Sequence, residues 1–447
     1  MNSGPDSPAQ LRRQLGLGTA TSLVVANMIG AGIFSTTGLM LDQLRSGWLV
    51  LLVWFLGGLV ALAGALCYAE LAAMMPRAGG EYAYLREIYG PLPAFLTGWT
   101  SFFVGFSAPI AASAVAAGEY LSAAFFPADA PLPGRQLAPR LLAVLLVLLF
   151  SAVHAAGVRF GARVQNTLTL LKVALLVGLI AAVSFSERSS AAWLDPASSF
   201  WLPGRWSGAG VALLFAMFAY SGWNAASYIA EEVTEPARNL PRSLALGTVA
   251  VMVLYLAVNL QFFALPDAAA LSGQISVFSL AARQLFGAEA GLGVALLVSF
   301  ALLSSLSAFI LLGPRVYFAM ARDGLFFRAA AQVHPVRLTP ARAIAAQALC
   351  AAVMALFRLD QLLSFIGFAL AIFPLLAVAG VIVLRRRQPH RERPYRTWGY
   401  PFTPIFFLLV MLAMLVLAFL GRPRESLLAL LTVSAGIPGY YLLFRRS

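Results

Sequence analysis

Apolar stretches of about twenty residues recur from near residue 16 to near residue 444, separated by short loops that carry arginine. A run of that length crosses the ~30 Å hydrocarbon core of a bilayer as one helix. Sixty per cent of the 447 residues are hydrophobic and only 11% are charged, against roughly 25% charged in an average soluble domain. Lipid is therefore the solvent this surface expects. The implied fold is an all-α integral membrane protein.

Hydropathy predicts twelve spans, at about 16 to 42, 47 to 74, 93 to 124, 138 to 156, 162 to 186, 207 to 233, 242 to 265, 291 to 321, 340 to 357, 361 to 384, 402 to 421 and 426 to 444. An even number puts both termini on one side, and 1–447 reads as a single transmembrane domain. With the first residues in the cytoplasm, inner loops and tails hold 21 arginines and outer loops 9, so the positive-inside rule makes both termini cytoplasmic. No hydrophilic stretch is long enough for a soluble catalytic domain.

The formal charge of +13 does not imply nucleic acid, because the arginines are scattered through loops and form no basic face beside aromatic platforms. Cys67 and Cys350 lie inside apolar segments, which argues against a disulfide framework. The polar start, MNSGPDSPAQLRRQLGLG, has no cleavable signal pattern, so the first span is expected to direct insertion itself. Residues 76 to 90, PRAGGEYAYLREIYG, combine a Pro/Gly break with spaced aromatics. They predict a short amphipathic helix at the cytoplasmic interface, as an aromatic anchor or a gate. Residues 266 to 290 predict a pair of short helices capping the outside.

Span 1 is interrupted at Asn27-Met28-Ile29-Gly30-Ala31-Gly32-Ile33-Phe34. Glycines at i and i+2 permit the backbone to leave helical geometry, and unwound backbone at mid-membrane is tolerated where it lines a cavity or meets a ligand. The alternative is a small-residue packing face. Span 6 repeats the theme at Phe218-Ala219-Tyr220-Ser221-Gly222-Trp223-Asn224. Spans 1 and 6 open the halves of a five-plus-five arrangement, with repeats at 16–186 and 207–384 and accessory helices at 402–444, and paired breaks at corresponding positions point to a transporter site. A half-helix N-terminus suits a carboxylate, and free carbonyls at half-helix C-termini suit an ammonium group. One such pair recognises both ends of an α-amino acid, which makes Met28, Ile29, Gly30, Ala31, Gly32, Phe218, Ala219, Ser221 and Gly222 the substrate-binding candidates.

Lys172 is the only lysine among 31 basic residues. It lies nine residues beyond Arg163 in span 5, hence ~14 Å into the ~30 Å core. An intramembrane cation is a functional-site hypothesis by default; the alternative is a lysine facing an aqueous vestibule. Glu70, Glu231, Glu232 and Glu235 sit at predicted inner helix ends as ion-pair partners for arginines, and Arg315 with Ala321-Arg322-Asp323-Gly324 closes span 8 in a structural salt bridge. Ser304, Ser305 and Ser307 are candidate Na⁺ ligands, although membrane serines usually bond their own backbone. His154, His334 and His390 are spread apart and build no metal site or triad, so no catalytic residue, metal or cofactor is expected.

These residues resemble the amino acid, polyamine and organocation transporter superfamily, and within it the L-type amino acid transporter branch. The likeness runs through NMIGAGIF, PRAGGEYAYLREIYG, FAYSGWN followed by AEEVTEPARNLPRS, YLAVNLQFF and RVYFAMARDGLF, five motifs in order over nearly the whole chain. It implies an inverted-repeat fold with a ten-helix core, broken helices 1 and 6 and two accessory helices. It also implies that the substrate ammonium meets carbonyls of Met28, Phe218 and Ser221, the carboxylate meets amides of Ala31 and Gly32, and Phe218 closes over the substrate from outside. Lys172 matches a lysine that takes the place of a sodium ion and ties span 5 to unwound span 1, with Asn224 a polar residue near the same region. Relatives often carry Ser or Thr where this chain has Ala31, which removes a hydroxyl contact to the carboxylate.

Mammalian light chains of this branch carry a cysteine between helices 3 and 4 for a disulfide to a heavy chain; the loop FPADAPLPGRQLAP has none. The resemblance therefore implies a bacterial homologue in the inner membrane that works without a heavy chain, as a monomer or weak dimer. Near Phe103, Ser107 and Ser221 no acidic residue is present to pair with a cationic substrate. The expected activity is Na⁺-independent transport of neutral L-amino acids by alternating access, with a fixed ammonium favouring exchange. The alternatives are a cationic amino acid or polyamine transporter, or a proton-coupled symporter.

Overall fold

The computed structural model describes residues 13, 15–77, 79–125, 137–156, 172, 174–178, 180–181, 205–327, 329, 332 and 341–444. Among them the regular structure is helical, with one isolated bridge between Leu15 and Val233. Among the described residues, seven helices are long and apolar enough to cross a membrane, or eight if the bent pair Leu17–Met28 and Ala31–Leu44 counts as one span. The chain is a multi-pass membrane protein. Span 5 falls outside the described residues apart from 172, 174–178 and 180–181, as does Arg163, the reference for the depth of Lys172.

In order, the helices are α1 Leu17–Met28, α2 Ala31–Leu44, α3 Gly47–Met74, α4 Glu81–Tyr89, α5 Pro91–Thr100, α6 Ala108–Phe125 and α7 Ala138–Ala156. After residue 204 come α8 Arg205–Ala219, α9 Ala225–Tyr228, α10 Pro236–Phe262, α11 Val277–Phe286, α12 Ala288–Arg322, α13 Ala341–Met354, α14 Leu359–Arg387, α15 Phe402–Gly421 and α16 Pro423–Ser434. The hydropathy limits of α3, α7 and α15 coincide with the helices, because Ser46 caps α3 through Leu49 N and prolines or polar residues flank the others. A π-helical stretch, Ser101–Ser107, joins α5 to α6. The pair of short helices predicted over residues 266 to 290 is present as a 3₁₀ turn Ala269–Leu271 and α11.

Two packing groups organise the site. Both broken helices lie with α3 and α10: α1 packs on α10, α2 on α8, α1 on α9, and α3 on both α8 and α10. In the second group, α6 packs on α12 and α7, while α13 packs on α7 and α12.

The expected ion-pair role of Glu70 is realised at one end of the first group. Its buried carboxylate accepts from Arg385 Nε at 3.0 Å and Nη2 at 2.6 Å, and from the Thr397 amide at 2.7 Å, with Arg393 Nε at 3.4 Å. The Arg385 guanidinium lies 3.7 Å over the Tyr400 ring. This knot fastens the segment after α14 to the end of α3. Among the described residues Glu235 pairs with exposed Arg238, at 3.7 Å. Asp323 after α12 accepts from Arg86 and from Tyr82, each at 2.9 Å, while the side chains of Arg315 and Arg322 lie outside the described residues.

Candidate functional site

The first helix stops at Met28. Ile29 (φ −71°, ψ 89°) has left helical geometry, Gly30 (φ −131°, ψ −158°) is extended, and α2 starts at Ala31 after a bend of 41°. The interruption is narrower than the two-glycine motif predicts. Only Gly30 belongs to the unwound segment; Gly32 is helical, and its use is close approach. A Cβ on Gly32 would fall 2.3 Å from Ala219 Cα, so the absence of a side chain lets α2 lie against the end of α8. The unwinding and packing readings of this motif thus divide between its two glycines.

The second break runs from Tyr220 to Asn224. Ser221 N donates to Phe218 O at 3.0 Å and Ala225 N to Gly222 O at 2.9 Å, which makes two tight turns in place of continued α-helix. Gly222 holds φ +99°, and a Cβ there would lie 2.9 Å from the Asn27 carbonyl carbon. The chain at and beside the two breaks therefore meets twice, Gly32 on Ala219 and Gly222 on Asn27. Met28, Ile29, Ala31, Phe218 and Ala219 are buried, whereas Gly30, Ser221, Gly222 and Asn224 are half-buried.

Lys172 is 1% exposed, and its ammonium donates to the Ala26 carbonyl at 3.1 Å and reaches Ser305 Oγ at 3.5 Å. Ala26 lies in the last turn of α1, where the interruption leaves carbonyls without amide partners. A positive group there complements the helix C-terminus. Of the three candidate serines, Ser305 meets this ammonium and Ser307 meets His154 Nε2 at 2.8 Å. The N-terminus of α2 has no side-chain cap, so its first amides are available to an anion.

Tyr255 of α10 was not singled out by sequence reasoning. Its buried hydroxyl donates to Met28 O at 2.6 Å and lies 3.1 Å from Ala219 O. One phenol thus gathers a carbonyl from each break. Its ring is seated edge-on against Trp54, at 5.2 Å between centroids. The available signal was weak: a tyrosine four residues before Asn259 in an apolar span, where Asn259 in turn accepts from Thr37 of α2 at 2.7 Å.

Asn224 reaches α4, donating to Glu81 Oε1 at 2.7 Å. Tyr68 of α3 donates to the same oxygen at 2.8 Å. The segment predicted as an anchor or a gate thus has Glu81, Tyr82 and Tyr84 buried against the protein, which a lipid-facing anchor does not require.

A family model described as amino acid permease matches residues 15–437. The chain belongs to the amino acid permease family. It is 32% identical over 441 residues to the large neutral amino acids transporter small subunit 2 of Mus musculus, covering 97% of this chain and 81% of that one. It is 30% identical over 440 residues to the b(0,+)-type amino acid transporter 1 of Mus musculus, covering 97% and 88%. The Asc-type amino acid transporter 1 of the same organism is 30% identical over 445 residues, with 97% and 81% covered. The likeness to the L-type branch read from the motifs stands on these alignments, and the permease family is one of transporters rather than enzymes.

Proposed function

We propose that this permease carries neutral L-amino acids across the cytoplasmic membrane by Na⁺-independent alternating access, preferentially as an exchanger. The observation that carries the proposal is the pair of facing breaks with the Lys172 ammonium on the Ala26 carbonyl at 3.1 Å. In this reading the substrate carboxylate lies on the uncapped amides of Ala31 and Gly32. Its ammonium lies on main-chain oxygens of Met28, Phe218 and Ser221. Met28 O already accepts from Tyr255, so the ammonium takes its second lone pair. Phe218 shields the site from outside, and Lys172 supplies the fixed charge that a bound cation would otherwise provide.

The proposed framework has twelve spans, repeats at 16–186 and 207–384, accessory helices at 402–444, and both termini in the cytoplasm. The packing of the breaks with α3 and α10, and of α6, α7, α12 and α13 with one another, supports rocking of one group against the other. The loop between α6 and α7 has no cysteine, which supports function without a disulfide-linked partner, as a monomer or weak dimer. The test is counterflow in proteoliposomes without Na⁺. Leucine, alanine or serine should exchange saturably, with and without an imposed pH gradient. Preferred uptake of arginine, or a requirement for Na⁺, refutes the reading.

A further inference from the structure

Glu81 is the first residue of α4 and lies outside the membrane-spanning segments. It is 8% exposed, yet it forms no ion pair among the described residues. Tyr68 from α3 and Asn224 from the second break both donate to Oε1, at 2.8 and 2.7 Å. That leaves Oε2 as the oxygen to carry a proton. The other groups facing it are the neutral phenols of Tyr84, on its own helix, and Tyr228, on α9. Charged groups on neighbouring elements are engaged elsewhere: Arg385 with Glu70, and Asp323 with Arg86.

The position is also mechanical. Along its length α4 is fastened by Tyr82 and Arg86 to Asp323, beyond α12, and by Tyr89 to Leu376 O of α14 at 3.1 Å. Its first residue holds Asn224, two residues past Gly222. Glu81 therefore joins the second packing group, through α4, to the broken helix of the first. On the transport reading above, access from this end requires that join to part, and water then reaches the carboxyl.

Building on that reading, we propose that Glu81 is a proton-binding site that latches the cytoplasmic closure of the second break: closure takes up a proton from the cytoplasm and opening returns it. Burial pushes the closed-state carboxyl up to about 7 from its ordinary 4.5, against the opposing pull of the Tyr68 and Asn224 hydrogen bonds. The sign follows from linkage. Between those values the closed form binds a proton that the hydrated, open form releases, so acid favours closure and alkali favours opening. From pH 8 to pH 5 the closed-to-open ratio rises on the order of fifty-fold. The proton enters and leaves on one side, which makes this a cytoplasmic pH response and not a proton-driven step.

The test uses the full-length protein in two assays. In purified protein without substrate, an infrared band of a protonated carboxyl should appear as pH falls through about 7 and be missing in Glu81→Gln. Tyr68→Phe, which deletes one donor to the carboxylate, should move that midpoint up by about one pH unit. In proteoliposomes buffered equally on both sides, exchange should rise on the order of tenfold from pH 5 to pH 8. Glu81→Gln should be slow and flat over that range, while Glu87→Gln on the exposed face of α4 should follow the wild type. A band titrating near 4.5, or a wild-type pH profile in Glu81→Gln, overturns the proposal. Should no amino acid be exchanged at any pH, the transport reading fails, and the infrared midpoint still decides whether Glu81 binds the proton.

Discussion

Replacing Gly222 by alanine tests whether the two breaks must touch. The new Cβ meets two obstacles. At φ +99° an L-residue adopts a backbone conformation it rarely takes, at a cost of about 1–2 kcal/mol. The Cβ also falls 2.9 Å from the Asn27 carbonyl carbon and 3.0 Å from its oxygen. Those are backbone atoms that no rotamer change can move, and overpacking of this kind costs about 1–3 kcal/mol. Together the penalty is about 2–5 kcal/mol, borne by the state in which α1 and the second break are in contact. At about 1.4 kcal/mol per tenfold, kcat/KM for exchange should fall by roughly 30-fold or more, measured by counterflow in proteoliposomes on protein confirmed folded by its melting curve. Gly18→Ala is the companion variant, since it is helical and a Cβ there meets nothing within 4 Å; it should be neutral or stabilise by up to ~1 kcal/mol. Wild-type exchange in Gly222→Ala, or equal damage from both variants, refutes the claim that contact between the breaks is required.

Lys172→Met removes the donor to the Ala26 carbonyl, and a charged hydrogen bond of this type is worth about 1.5–3 kcal/mol; exchange should fall by about tenfold to a hundredfold, and unchanged counterflow would exclude the fixed-ammonium role. Tyr255→Phe keeps the ring against Trp54 and deletes only the hydroxyl shared by Met28 and Ala219, so KM for substrate should rise by about threefold to tenfold while the melting curve moves little; a KM equal to wild type refutes it. Glu70→Gln strands Arg385, whose side chain is 20% exposed, and should destabilise by about 3 kcal/mol, read as a lower melting temperature with leucine affinity unchanged.

Much of the frame was legible because bilayer physics leaves little choice of pattern. The limits of α3, α7 and α15 follow from apolar runs ended by Ser, Pro or Arg, and Glu70 was readable as an arginine partner because an acid at a span end has few other options. Lys172 stood out by chemistry, a single lysine in an apolar run. Tyr255 did not stand out, since its partners are main-chain carbonyls made available by breaks elsewhere in the chain, and main chain has no sequence signature. Glu81 was hidden for a different reason. In the sequence it belongs to a short interfacial helix, where acids are ordinarily solvated, and its burial depends on how Tyr68 and the second break fold over it. Gly32 was legible as special but not as what it is, because a glycine needed for close approach and one needed for unwinding look alike until Ala219 is seen against it.

Both ends of the broken pair are held by main-chain hydrogen bonds, joined by aromatic contacts at one end and by a carboxyl at the other, and this bears on exchange. At the end toward α11, the contacts are main chain and aromatic: Gly273 N to Gly38 O at 2.9 Å, Tyr120 hydroxyl to Phe34 O at 2.6 Å, and Phe34 against Phe278 at 5.1 Å. At the other end, Leu15 N reaches Glu232 O and Thr234 N reaches Leu15 O, each at 2.9 Å, beside the Glu81 bond to Asn224. Between them lies the Lys172 ammonium on the Ala26 carbonyl, which on the proposed reading keeps its charge whether or not substrate is present. No ion gradient then enters at that position, and a ligand shifts the balance between states only by its differential affinity for them. On the proposed binding mode, only a bound amino acid bridges the amides of Ala31 and Gly32 to the carbonyls of the second break. Bridging stabilises the state with both ends shut more than either open state, so the loaded carrier reorients faster than the empty one. Efflux into amino-acid-free buffer should accordingly be slower than efflux into buffer containing leucine, and equal rates would remove the basis for exchange.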